Sequence, residues 1–340
     1  VTGPGTGRAS AGQDGPIHRL VLAAVVALLL LAAVPAADSQ PAAEKARVGV
    51  IGITPGTAVN FEMFRQGLAQ VGYTHAHDVA LVHRHADGVP ARLAEAAAEL
   101  VAARVDVVLA RGAAALAVSA RATTTIPIVA VDLESDPIAQ GYAKTLARPG
   151  GNVTGVFLDL PELSSKQLQL IREAVPGLAR VALVGDPEGN AAQFRATERA
   201  AATFGIQVQA YGARTAVELD TAIENARRAG IGAVLIFSSP LVFYNRVHLA
   251  ALARNRRLPS VSLFTEFAEA GGLLTYGPSL REAFRRCGVH VGKILKGAKP
   301  GELPIERPET FELVINLKTA AALGLTIPSS VKLRADQLIE

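Results

Sequence analysis

The residues able to do chemistry are few and sit against an apolar background. Four histidines, His75, His77, His83 and His85, alternate in two pairs, with Asp78 and Asp87 beside them. A closed metal site takes about four such ligands converging from more than one segment. No second cluster accompanies this one, so it reads as the polar edge of a strand and no metal is expected. Cys287, the one cysteine, falls inside a helical pattern and reads as a packed thiol, not a nucleophile. No serine lies in a nucleophile elbow. Gly49, Gly52 and Gly56 do not make the dinucleotide fingerprint, and no strand is followed by a phosphate loop with its lysine. No cofactor and no catalytic residue are therefore expected.

What remains is binding chemistry: short polar side chains and backbone donors at the ends of apolar runs. Thr54–Gly56, Arg111–Ala113 and Asp132–Asp136 follow such runs in the first half, and Gly185–Asn190, Ser238–Pro240 and Phe264–Thr265 in the second. In a parallel sheet the carboxyl ends of the strands face the ligand, and helix N-termini point inward there. The candidate ligand-binding set is Thr54, Gly112, Ala113, Asp136, Asp186, Asn190, Ser238, Pro240, Phe264 and Tyr276. Ordinary turn chemistry accounts for any one of these alone. The acidic trio Asp132, Glu134 and Asp136 could hold a positive ligand group or pair with Arg111. Phe157, Phe243, Phe264 and Tyr276 could stack on an apolar ligand or pack in the core.

The elements that must position these residues come as a module that appears twice. RVGVIGITPG near residue 47 is matched by RVALVGDPEG near 180, VDVVLARGAAAL at 105–116 by IGAVLIFSSPLV at 231–242, and TIPIVAV at 125–131 by RLPSVSLF at 257–264. The offsets are 133, 127 and 132 residues. Three matched elements at nearly one offset predict two α/β domains of one kind with the ligand between them. Helical spacing of Phe61, Phe64, Leu68 and Val71 predicts a helix stopped at Gly72, and Ser279 is expected to cap a helix running to Leu295. One helix is expected over Leu241–Asn255. The turn-rich stretch 132–155 reads as a passage between domains rather than a core element.

At 340 residues, half of them apolar, the chain is long enough for two cores. Its formal charge of +4 is spread out, without the basic clusters and interleaved aromatics of a nucleic-acid binder. Arg8, His18 and Arg19 precede the uncharged run LVLAAVVALLLLAA at 20–33, and VPAADS follows. That order predicts a signal peptide over residues 1–36, cleaved after Ala36 or Ala37, and a mature protein in the periplasm or extracytoplasmic space. A lipid anchor would need a cysteine at the cleavage site.

The stretches FRQGLAQVGY (64–73), ATTTIPIVAV (122–131), LARPGGNVTG (146–155), ELSSKQLQLIREAVPGLARVAL (162–183), EAGGLLTYGP (269–278), VGKILKGAKPGELPIE (291–306) and FELVINLKTAAALGLTIPSSVKLRADQLIE (311–340) resemble the exported substrate-binding proteins of ABC transporters, including tryptophan-binding representatives. The resemblance implies a type I periplasmic-binding fold: two Rossmann-like lobes closing on a small ligand. Residues 45–155 plus 279–303 would form lobe 1 and 156–276 plus 309–335 lobe 2, with crossovers near 152–158, 276–280 and 304–311. It also implies a partner, a membrane permease driven by a separate ATPase, and it leaves an amino acid as one candidate ligand for a monomeric carrier. Carried over by position, the family's Asp-Pro pair falls on Asp136–Pro137 and its hinge tyrosine on Tyr276–Gly277–Pro278. Ala113 stands where the family often has a small or hydroxyl residue, and DLESDP replaces its Gly-Asp-Pro. A sensor subunit that signals to a membrane kinase would share the fold; an exported enzyme would need a clustered nucleophile, base or metal set that the sequence lacks.

Overall fold

The computed structural model describes residues 1–3, 5–7, 45–74, 78–158 and 160–340. The apolar run and cleavage region of the expected leader lie outside the described residues, as do His75 and His77. Val1–Glu44 forms a unit of its own, of which the described residues are exposed and without regular structure. Everything below concerns Lys45–Glu340.

Two sheets organise this unit. The first contains β1 (Ala46–Gly52), β2 (Val79–His85), β3 (Val107–Arg111), β4 (Ile128–Asp132) and β5 (Val153–Phe157) in the order β2-β1-β3-β4-β5, all parallel. The second contains β6 (Arg180–Gly185), β7 (Gln207–Gly212), β8 (Ala233–Ile236), β9 (Ser260–Ser262), β10 (Leu274–Gly277), β11 (Glu312–Asn316) and β12 (Gln337–Ile339). Its order is β12-β11-β10-β9-β8-β6-β7, with β10 and β11 antiparallel. Leaving out β11 and β12, both sheets run second-first-third-fourth-fifth, so the sequence duplication is a duplication of topology. Wholly buried strands such as β8, and β4 up to its last residue, Asp132, are continuous apolar runs because helices cover both faces.

Helices follow the strands: α1 (Ala58–Gln70), α2 (Leu93–Ala102) and α3 (Ala113–Ala122) in the first half, then α4 (Leu160–Ala174), α5 (Ala191–Phe204), α6 (Ala216–Arg228), α7 (Pro240–Tyr244), α8 (Arg246–Asn255) and α9 (Thr265–Glu269) in the second. The chain then returns to the first sheet as α10 (Leu280–Leu295), which packs along α1 and over β3, β4 and β5. It ends on the second half with α11 (Leu317–Ala322) and α12 (Ser329–Lys332). Capping fixes the starts that matter most here. Thr57 accepts from Asn60 N at 3.3 Å to begin α1, and Ser279 accepts from Glu282 N at 3.3 Å to begin α10. Gly72, at φ +94°, ends the first of these as its position predicts.

Two expectations are corrected, and the bounds of the crossings are narrowed. Val153–Phe157 is not a passage: it is a wholly buried strand paired to β4, and Thr154 Oγ1 donates to Leu303 O at 3.0 Å. The breakers Pro149, Gly150 and Gly151 lie in the turn before it, and Gly155 is there because a Cβ would overlap the Ala130 backbone. The chain therefore leaves the first sheet after Phe157, at the end of the stretch expected near 152–158. On the last crossing, Ile305 and Glu306 still bond to Leu146 and Gly155, so the strand-to-strand passage is confined to 307–311. The helix expected over Leu241–Asn255 is broken at Asn245, whose Nδ2 donates to Leu241 O at 2.9 Å. That break turns Phe243 and Tyr244 toward the space between the sheets.

Candidate functional site

The carboxyl edges of the two sheets face one cavity of about 630 Å3, counted out to its open mouth. From the first half, the β1–α1 loop supplies Thr54 to Thr57, α1 supplies Asn60, β3 ends in Arg111 and Gly112, and the chain after β4 supplies Leu133 and Glu134. Ser238, Ser239, Pro240, Phe243, Tyr244, Arg246 and Phe264 come from the second half. Leu280 and Phe284, one turn apart at the start of α10, complete the wall. Phe243 meets Phe264 edge to face at 5.9 Å between centroids, an arrangement that favours aromatic pairs.

Two ionisable groups of the first half stand out. Arg111 ends an otherwise apolar strand and folds its guanidinium back over the β1–α1 loop. Nη2 donates to Thr54 O, and Phe61 lies under the group at 5.8 Å. A Cβ at Gly52 or Gly56 would collide with this arginine or with Phe61, so both positions must be glycine for the guanidinium to lie there. Burial pulls the Arg111 pKa down to about 10. Among the described residues no carboxylate lies within ion-pair distance of it, and its Nε has no partner. Glu134 Oε2 accepts from Ala113 N, the first residue of α3, at 3.2 Å. Burial first, and then the negative field of Asp132, push the Glu134 carboxyl up to about 8. Asp132 is itself buried and raised for the same first reason; its Oδ1 accepts from Glu134 N and Ser135 N, and its Oδ2 has no partner.

Of the residues singled out from the sequence, Thr54, Gly112, Ser238, Pro240 and Phe264 meet in this cavity. Gly112, at φ +85°, lies close against the facing half: a Cβ there would lie 2.8 Å from Pro240 Cγ. Ala113 takes part through its N–H alone. The others are elsewhere. Asp136 is exposed, and its Oδ1 closes a turn with Ile138 N and Ala139 N. Asp186 holds Arg214 at 3.1 Å on the outer rim of the second sheet. Asn190 is buried behind the wall, accepting from Asp186 N at 2.9 Å and donating to Ser238 O at 3.4 Å, and so braces one loop against another. Tyr276 stacks on Phe311 at 6.1 Å beside the crossings.

Sequence reasoning favoured Asp136 over Glu134 because the family's Asp-Pro pair falls on Asp136–Pro137, and nothing local says which of the three acids of DLESDP is buried. Arg111 did carry a signal, a charge closing the strand VVLAR. Phe284 carried one too, an aromatic one turn after the Ser279 cap. Asp87, at φ +50°, pairs with His85 at 2.8 Å and with Arg92 at 3.4 Å on the surface. The His83 ring packs edge-on against Phe61 at 4.8 Å. Cys287 is buried in α10, its thiol pushed up by burial, with Ala130 O at 3.5 Å.

Comparison with known proteins identifies the fold and the family. A structure described as "the ABC domain in complex with L-Trp from Streptococcus pneumonia" superposes with a TM-score of 0.78 at 24% identity, covering 87% of this chain and 100% of that one. A conserved domain protein from Vibrio cholerae superposes with a TM-score of 0.79 at 25% identity, with the same coverage. In sequence, the tyrosine-binding protein of Clostridioides difficile is 22% identical over 282 residues, 81% of this chain and 78% of that protein. The fold is that of the type I periplasmic-binding proteins. Residues 47–339 match the family described as "ABC transporter substrate binding protein", and the chain belongs to that family.

Proposed function

We propose that the protein is the exported solute-binding component of an ABC import system. It holds a small organic ligand of the amino-acid kind between its two halves and presents it to a membrane permease driven by a separate ATPase, without catalysing a reaction. The observation that carries this reading is the cavity itself. It lies at the carboxyl edges of both sheets, with polar and charged groups from the first half opposite an aromatic wall from the second. Among the described residues its lining contains neither a histidine nor a cysteine. Relatives named for tyrosine and seen with L-Trp support an aromatic amino acid as the ligand class. The expected leader and the family support an extracytoplasmic location, and among the described residues no helix is long and apolar enough to cross a membrane.

A ligand that binds the native state alone raises apparent stability by RT ln(1 + [L]/Kd), about 2.7 kcal/mol at a hundredfold excess over Kd. A thermal-shift screen of the L-amino acids, with mass spectrometry of whatever remains bound after native purification, is therefore the test. An aromatic L-amino acid is expected to give the largest shift and to be recovered unchanged. No shift across the set, or recovery of a converted product, would overturn the reading.

A further inference from the structure

The cavity contains two cations, Arg111 and Arg246, and one carboxyl group, Glu134, and among the described residues none of the three is in an ion pair. Burying a lone charge is expensive, and proteins pair or neutralise such groups unless a ligand completes them. Arg111 makes its one hydrogen bond to a neutral carbonyl, lies on an aromatic face and meets no carboxylate among the described residues. Glu134 has one oxygen on the Ala113 N–H and no cation within ion-pair distance among the described residues. Both line the same wall, and both issue from the carboxyl edge of the first sheet, from adjacent strands β3 and β4. The facing half contributes mostly rings and proline; its Arg246 makes the same two kinds of contact as Arg111, to the Phe243 carbonyl at 2.8 Å and ring at 4.6 Å, but of the two only Arg111 keeps a buried donor, Nε, without a partner.

A part-buried cation without an anion, beside a part-buried acid without a cation, is the complement of a zwitterion. We propose that Arg111 and Glu134 are the two charge anchors for an α-amino acid, the guanidinium taking its carboxylate and the Glu134 carboxyl its ammonium. The planar fork of arginine suits a carboxylate, and the glycines at 52 and 56 leave room for that fork and for Phe61 beneath it. Ala113 N holds one Glu134 oxygen and leaves the other for the ligand. The first half thereby reads the backbone of the amino acid, and Phe243, Phe264 and Pro240 of the second half read its side chain. This inference deepens the proposed function and rests on it.

The test is a set of ligand–protein double-mutant cycles read by calorimetry. The probes are L-tyrosine, tyramine, which lacks the carboxylate, and 3-(4-hydroxyphenyl)propionate, which lacks the ammonium; the proteins are wild type, R111Q, R111K and E134Q, each checked for fold by circular dichroism. Removing one partner of a buried charged contact weakens affinity by about 30-fold or more. Wild type is expected to lose that much on going from tyrosine to either analogue. R111Q should show the loss for tyrosine and no further loss for tyramine, with partial rescue in R111K; E134Q should do the same with the propionate. Independent, additive losses would overturn the anchor assignment while leaving amino-acid binding intact. If a thermal-shift screen finds tight binding only for solutes that are not amino acids, both the assignment and the amino-acid reading fall.

Discussion

Glu134 has a consequence that can be measured without any ligand. Its ordinary carboxyl value is 4.5, and in the folded protein burial and Asp132 hold it near 8. Between those values the native state keeps a proton that the unfolded chain has lost. Stability from this group is thus complete below about pH 4.5 and is lost as the pH rises to about 8. The charged groups near it are Asp132 on its own segment, Arg111 at the end of β3 and Arg246 across the cavity. E134Q removes the titration, so its melting temperature should fall less over this window than that of wild type and should exceed it at the alkaline end. Parallel slopes for the two proteins would show that the carboxyl is not held protonated. A bound ammonium should reverse the effect in wild type, expelling the proton. None of this was legible in the sequence, because burial separates Glu134 from Asp136 and burial is set by the whole fold. Arg111 was closer to legible, since a charge ending a run of buried residues has few ordinary explanations.

The element that holds the cavity wall in place is the pair α1 and α10. Each end was readable locally: Thr57 and Ser279 are capping residues, and the apolar spacing after them is helical. Their contact was not, because it joins residues more than two hundred positions apart. Gly67 and Gly288 make it. A Cβ on Gly288 would overlap Phe64 O, and one on Gly67 would overlap Arg285 O, so backbone meets backbone at this crossing. Alanine favours a helix over glycine by about 1 kcal/mol. Overpacking typically costs about 1–3 kcal/mol, and here the obstacle is a main-chain carbonyl that cannot rotate away. The cost wins: G288A should unfold at lower urea concentration than wild type. It should also weaken ligand binding, because Phe284 lies one turn from Gly288 and Asn60 one turn from Phe64. A G288A protein at least as stable as wild type would show that the helices are free to part. The passage expected over 132–155 went wrong for a related reason. A strand holding Thr154 and Gly155 just after a Pro-Gly-Gly turn has no local apolar signature, and only its pairing to β4 shows it as core.

At the scale of the molecule, the duplication was the most legible feature, since its three matched runs are three pairs of buried strands at one offset. The extension of the second sheet was less so. β12 is mostly exposed, and its partner β11 joins antiparallel, so neither periodicity nor the repeat announces them. The halves are joined by three passages, and one further link spans them close to the second. Arg281, in the first turn of α10, reaches Glu266 at 3.6 Å and Glu269 at 3.4 Å on α9. Under the proposed function, with Gly112 against Pro240, this is the closed arrangement, and the link favours it. Its strength is bounded by exposure. Arg281 and Glu269 are both more than two-fifths exposed, and although Glu266 is mostly buried it is met only at 3.6 Å by that exposed guanidinium, so the link contributes about 1 kcal/mol or less. R281A should therefore weaken ligand affinity by about fivefold at most. At about 1 M salt the screening length falls to about 3 Å, and the difference from wild type should vanish. The loss in R111Q arises where solvent ions do not reach, so it should persist at the same salt. Calorimetry at low and high salt separates the two arginines: a large, salt-insensitive effect of R281A would mean that closure depends on the link, not on the ligand's charges meeting Arg111 and Glu134.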